Sequence, residues 1–279
     1  MRERTTMTKL VAAGLAASAT LALGLPAARA ADHNNLEENL PTRIEDAYVT
    51  PYNGIEAQSF FGYDRSRVGR RGRGGSDVFT LGPRIEMGLF RNFQASVAVP
   101  YRVGNGPDTQ QGDFDVQTLY NLNSEGVRLP ALSLGVGVDQ PFGAGNGGTE
   151  TSVKFVATKS IGSIGTSYVP RRLHLNAAWF HNYDPIRSED GRERRDRYLV
   201  GIGYSQPISN DAVLVADIYR ETLRDSRRAE NMVEVGARYQ LTPQTVLSGS
   251  IGTGIAERSP AVRVVVGVQH TLSWPLLFR

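Results

Sequence analysis

Cysteine is absent from the 279 residues, so the chain has no disulfide framework and no thiolate metal site. Long apolar runs are missing as well: beyond residue 30 nothing offers the roughly 18 uninterrupted apolar residues of a membrane helix. The four histidines show no zinc spacing and the carboxylates no calcium-loop spacing. No metal and no cofactor is therefore expected. Polar and proline-rich linkers are lacking too, which argues for a single domain after the N-terminus.

The N-terminus itself is a leader. Arg2, Arg4 and Lys9 precede an apolar and small-residue run over 10–26, and Ala28-Arg29-Ala30 fits the small-x-small site of signal peptidase. The run is broken by Ser and Thr and falls short of the roughly 20 residues of a spanning helix. Residues 1–30 are thus expected to be a cleaved signal peptide, and the protein to be exported. Losing them changes the electrostatics. Of 31 basic and 28 acidic side chains the leader takes Arg2, Arg4, Lys9 and Arg29 against Glu3, leaving 27 of each. The positive formal charge belongs to the leader and is no sign of a nucleic-acid partner.

What the mature chain does have is alternation of apolar with polar or small residues, about a dozen times over, between turn residues. Phe79, Leu81, Ile85, Met87 and Leu89 oppose Thr80, Arg84 and Glu86. Leu132, Leu134, Val136 and Val138 oppose Ser133, Gly135 and Gly137, and Val262, Val264, Val266 and Val268 oppose Arg263, Gly267 and Gln269. The pattern predicts twelve strands. The least regular is the ninth, around 212–220, where Val213 and Val215 share a phase with Asp217. A wall with lipid on one side and water on the other explains this period, and an even strand number leaves both termini in the periplasm. The expected fold is all-β, a transmembrane antiparallel up-and-down β-barrel of twelve strands over 54–279 in the bacterial outer membrane, after a signal peptide (1–30) and a periplasmic or luminal N-terminal segment (31–53).

Connections and aromatics follow the same scheme. Loops over 64–77, 104–112, 140–150, 182–196, 221–230 and 257–260 are mostly long and polar, whereas those at 90–92, 209–211 and 241–245 are short. That is the outside–inside asymmetry of membrane barrels; the connection at 160–171 is longer than it predicts. Phe61, Tyr63, Phe79, Tyr101, Phe114, Trp179, Tyr198 and Tyr219 are expected in an outer aromatic belt, with Phe90, Phe93, Tyr120, Tyr204, Tyr239 and Trp274 in an inner one. Leu272, Trp274, Leu276 and Phe278 resemble the alternating end read by the outer-membrane assembly machinery, although Pro275 and Arg279 depart from it.

Several stretches together resemble the outer-membrane family named for the meta-cleavage pathway of phenol degradation. They are Pro41-Thr42-Arg43-Ile44-Glu45-Asp46-Ala47 leading to Tyr52-Asn53-Gly54, Leu81-Gly82-Pro83-Arg84-Ile85-Glu86 with its Leu89-Phe90-Arg91-Asn92 turn, Val99-Pro100-Tyr101, Leu129-Pro130-Ala131-Leu132, and Leu173-His174-Leu175-Asn176. Each is weak alone, and their order over most of the mature chain carries the likeness. The resemblance implies a barrel transporter or channel for aromatic or other small molecules, and order around residues 42–47. It brings no catalytic residue.

The alternation assigns Glu56, Arg84, Glu86, Asp115, Lys154, Arg172, His174, Asp217, Glu234, Arg238 and Arg263 to the luminal face as candidate pore-lining residues. They would line a selective path or, more blandly, neutralise one another along the wall. Residues 31–53 would plug the lumen or, as termini commonly do, stay loose. Arg65, Arg67, Arg70, Arg71 and Arg73 crowd one Gly-rich loop, where guanidinium groups suit the phosphates of lipopolysaccharide; a solvated loop is the plainer reading. A barrel phospholipase would need a serine beside a histidine. His174 and Asn176 share a face, but no serine is convincingly placed beside them, and no enzyme is expected. The reading is an outer-membrane channel for small solutes, aromatic ones included, embedded in outer-membrane lipid. The alternative is a closed structural or surface-binding barrel.

Overall fold

The computed structural model describes residues 31–67, 75–106, 109–143, 147–163, 169–188, 191–224 and 229–272. Residues 1–30, expected to be the signal peptide, and Arg70, Arg71, Arg73, Trp274, Leu276 and Phe278 lie outside them. Fifteen strands follow in order: β1 (Ile55–Ser66), β2 (Asp77–Phe90), β3 (Phe93–Ala98), β4 (Tyr101–Gly104), β5 (Gln111–Asn123), β6 (Ala131–Gly143), β7 (Glu150–Ser160), β8 (Arg172–Asn182), β9 (Arg187–Ser188), β10 (Gly191–Arg192), β11 (Asp196–Pro207), β12 (Ala212–Thr222), β13 (Ala229–Thr242), β14 (Thr245–Gly254) and β15 (Pro260–Leu272).

These make a closed barrel of twelve wall strands. β9 and β10 pair only with each other, as a ribbon outside the wall. β3 and β4 are two halves of one wall strand, since both lie between β2 and β5. The break falls at Val99-Pro100, where Pro100 has no N–H to give a ladder. Val99 N–H donates to the Pro83 carbonyl at 3.0 Å and Asp113 N–H to the Pro100 carbonyl at 3.0 Å, which carries the wall across the gap. Closure comes from β1, paired antiparallel with β2 on one side and β15 on the other, Phe61 facing Leu81 and Val266.

Side chains divide as the period of two requires. Leu81, Ile85, Val136, Val153, Trp179, Val200, Ile202, Ile218, Val235, Ile251 and Val266 are all exposed on the outer surface, whereas Glu86, Lys154, His174, Asn176, Glu234 and Arg238 are buried inside. An apolar exterior around a polar interior is stable only in lipid, because in water both surfaces would be solvated the wrong way round. The short turns gather at one end: Arg91-Asn92, with Asn92 at φ 62°, and Pro243-Gln244.

One aromatic departs from the expected belt. Tyr219 is 3% exposed and points inward, its hydroxyl bonded by Arg263. It shares the phase of Val213, Val215 and Asp217, and this whole phase of β12 faces the interior. Buried valines on a luminal face need something apolar to cover them.

Val136 stands on the outer face at mid-strand, 59% exposed. Val136→Arg is expected to cost about 2–4 kcal/mol, the range for a cation at the bilayer midplane, measured from the denaturant midpoint of protein refolded in lipid.

Candidate functional site

Residues 31–53 lie inside the barrel. The segment starts at the short-turn end, where Ala31 N–H donates to the Pro243 carbonyl at 2.8 Å. It returns to the same end, where Asn53 N–H donates to the Gly88 carbonyl at 2.9 Å. It enters and leaves on one side and does not cross the membrane. Between these points it supplies an apolar residue to each cluster of the interior. Leu36 covers Val213 and Val215. Ile44 packs on Ala178, Leu199, Tyr219 and Met232. Ala47 packs on Leu119, Ala131 and Val156. Close approach here requires glycine: a Cβ at Gly203 would stand 2.8 Å from Ile44 Cγ2, and one at Gly267 2.2 Å from Leu40 Cδ1.

Wall side chains bind the segment's backbone as a sheet neighbour would. Ile44 N–H donates to Asp217 Oδ2 (3.0 Å), Glu45 N–H to Asn176 Oδ1 (3.1 Å), Ala47 N–H to Thr158 Oγ1 (2.9 Å) and Thr50 N–H to Gln94 Oε1 (2.7 Å). In the other direction Arg238 donates to the carbonyls of His33 (3.1 Å) and Leu40 (2.8 Å), Asn176 to that of Glu45 (2.8 Å), and Ser133 to that of Ala47 (2.7 Å). An irregular strand buried without such partners would leave its amides and carbonyls orphaned. The polar residues that alternation turns inward meet that need.

Ion pairs run from the middle of the lumen toward the outer mouth. Lys154 Nζ lies 2.6 Å from both Glu38 Oε2 and Glu45 Oε1. Arg43 bridges Glu38 and Glu221, reaching the latter at 2.9 Å. Arg197 joins Glu221, at 2.9 Å, to Glu150. Arg84 stands 4.0 Å from Glu38. Nearer the mouth Arg263 bonds Asp64 (2.6 Å) and Glu230 (2.9 Å), and lies 3.8 Å from Glu234. Asp115 accepts from Gln117 at 2.7 Å, and Arg172 sits over the Tyr48 ring at 5.0 Å.

Two spaces remain. A cavity of about 140 Å³ is lined by Phe60, Phe180, Arg84, Arg197, Asp115 and residues 38–40 and 43 of the segment. A vestibule of about 630 Å³ lies toward the long loops, lined by Asp64, Arg102, Asp113, Glu230, Arg263 and residues 39 and 41–43. Both spaces border residues 38–43.

All eleven luminal candidates therefore face the interior. Arg84, Glu86, Lys154, Arg172, Asp217 and Arg238 touch the segment directly. His174 is sandwiched between Thr158 Oγ1 (3.1 Å) and Ser205 Oγ (3.0 Å). A serine thus does stand beside it, contrary to the sequence reading, because β11 places Gly203 opposite His174 and Ser205 one inward step on. Thr158, His174 and Ser205 are at most 3% exposed. Thr158 and Ser205 occupy the two ring nitrogens of His174, so the trio ties β7, β8 and β11 together. In the arginine loop Arg65 pairs with Asp77 at 3.0 Å and Arg67 donates to the Gly254 carbonyl. Glu38, Arg43, Glu45, Phe60, Glu150, Phe180, Arg197 and Glu221 escaped the sequence reading. The only signal for Arg43 and Glu45 was the motif resemblance around residues 41–47, and Glu38 had none.

No family model matches the sequence, and no curated protein matches it. Solved structures do. An outer-membrane channel from Pseudomonas putida F1 superposes with a TM-score of 0.57 at 12% identity, over 81% of this chain and 98% of that one. The NanC porin superposes with a TM-score of 0.52 at 11% identity, over 77% of this chain and 100% of that one. At such identities the likeness is one of fold. With the lipid-facing exterior, it defines the class: a twelve-stranded β-barrel of the bacterial outer membrane.

Asp46, in the luminal segment, is 1% exposed. Burial raises its carboxyl to about 7, against the Leu36 and Tyr48 N–H groups that hydrogen-bond it. A raised acid favours the docked segment in its protonated form. That contribution is complete below about pH 4 and is lost as pH rises through about 7, by up to tenfold per unit. Amide-exchange protection of residues 36–48, corrected for intrinsic rates, is expected to fall between about pH 5 and 7.5, and Asp46→Asn to flatten the dependence.

Proposed function

We propose that the protein is a channel for small solutes, aromatic ones included, whose conductance is set by the luminal segment 31–53. The observation that carries this reading is the mouth-side vestibule of about 630 Å³ ending on residues 39 and 41–43. A barrel with a purely structural role has no use for an antechamber of that width. On this reading six of the eleven inward residues dock the segment, and Arg84, Asp115, Glu234 and Arg263 border the two spaces. The two superposed structures, named a channel and a porin, support the transport class by analogy of fold. The resemblance to the phenol meta-cleavage family supports the aromatic part.

The smaller cavity fits such solutes. Phe60 and Phe180 offer ring faces beside Arg84 and Arg197, a setting in which an aromatic body stacks and an attached hydroxyl or carboxylate finds a donor. The alternative, a closed barrel acting at the surface, draws on the extent of docking: a segment held this thoroughly would keep the lumen shut. Residues 1–30 as a cleaved leader, and the arginine loop as a contact for lipopolysaccharide phosphates, belong to the same proposal.

Single-channel recording of the refolded mature protein in a planar bilayer tests it, with phenol, benzoate and a sugar added in turn. Discrete openings blocked by the aromatic solutes but not the sugar are expected, and Phe60→Ala should weaken that block at least threefold. A folded barrel with no openings under any condition would give the weight to the closed alternative.

A further inference from the structure

The floor of the lumen holds a group of acids that the ion-pair chain does not use. Glu37 of the segment, Glu56 of β1 and Glu86 of β2 bring one carboxylate oxygen each to within 4.8 Å of one another. They are 9%, 7% and 1% exposed. Glu56 and Glu86 stand directly opposite in the β1–β2 register, where like charges destabilise a sheet. Glu86 accepts from Thr50 Oγ1 (2.5 Å), and Glu56 from Gln269 Nε2 (2.5 Å) and Gln58 Nε2 (3.4 Å). None of the three is in an ion pair among the described residues. Arg238, the cation acting on two of them, directs its nitrogens to His33 O, Leu40 O and Gln269 Oε1.

Two further observations point to a missing partner. The Glu37 carboxylate has no hydrogen bond to any described residue, although nine-tenths of the residue is buried. Thr271 lies directly across from Glu56 in the β1–β15 register, 4% exposed, with its Oγ1 also unpartnered. A buried hydroxyl without a partner, as at Thr271, calls for an explanation, an ion among them.

We propose that Glu37, Glu56 and Glu86, with Thr271 beside them, form a site for a divalent cation of the calcium or magnesium class that pins the luminal segment to the wall. All the donors are oxygens, which selects hard cations. Two oxygens bound to one calcium at about 2.4 Å each stand at most about 4.8 Å apart, and the three carboxylates already satisfy that limit. A dication beside Arg238 balances the three negative charges. Glu37 is the one ligand from the segment, so the site ties residues 31–53 to β1 and β2 independently of the Lys154 network. Linear spacing could not show it, since the three acids come from three elements. The site stands whether or not the barrel conducts.

Calorimetric titration of calcium chloride, and separately magnesium chloride, into the detergent-solubilised mature protein after EDTA treatment tests the proposal. One saturable site per chain is expected for at least one of the two ions. Glu37→Gln and the charge-preserving Glu37→Asp should each weaken it at least tenfold, Thr271→Val several-fold, and Asp211→Asn, in the β11–β12 turn, not at all. Glu37 lies off the wall, so these variants leave the barrel strands intact, which heat-modifiable gel mobility checks. Absence of saturable binding by both ions, or an affinity unchanged in both Glu37 variants, would overturn the site and leave a cluster that shares protons instead.

Discussion

A closed wall of twelve strands encloses more space than its own inward side chains fill, and that space has to be settled somehow. Here it is settled by a length of chain. Residues 31–53 enter the lumen, and nearly every interior feature answers to them: the carboxamides and hydroxyls that bind their backbone, the glycines of β11 and β15 that leave room for Ile44 and Leu40, and the charges that meet Glu38, Arg43 and Glu45.

Apolar contact and ion pairing divide the task unequally. Leu36, Leu40 and Ile44 are at most 4% exposed, and each such side chain contributes about 1.5–3 kcal/mol on burial. The ion pairs are a different case, since desolvating Lys154, Glu38 and Glu45 costs about what their attraction returns. Breaking one partner leaves a charge stranded, so the pairs fix where the segment sits more than how tightly. Holding strength resides in the three apolar clusters, and register in the network from Lys154 to Glu150.

Much of this was legible in the sequence. Alternation in β2, β6 and β15 located lipid and lumen faces residue by residue, because a period of two is forced by backbone geometry alone. What it could not show is which inward residues share a partner. Val213 and Val215 looked like a fault in the ninth strand; they are the seat of Leu36. Gly201 and Gly203 looked like ordinary strand glycines, and Tyr219 like a belt residue, because the covering side chain of Ile44 is more than 150 residues away in the chain. Ser205 reached His174 through a strand pairing that no linear spacing encodes. The segment carries no periodic signal of its own, being neither strand nor helix.

Whether the segment governs the lumen is open to a direct test, because the chain has no native cysteine. A Cβ at position 203 would lie 3.2 Å from Ile44 Cβ, a few tenths of an ångström short of disulfide separation, so with a small adjustment an Ile44→Cys, Gly203→Cys pair can lock the segment in place. Single-channel conductance of that protein, recorded before and after reduction, is the measurement. Silence is expected when oxidised and openings once reduced; equal conductance in both states would mean that solutes bypass residues 31–53 and that the segment is only a filler.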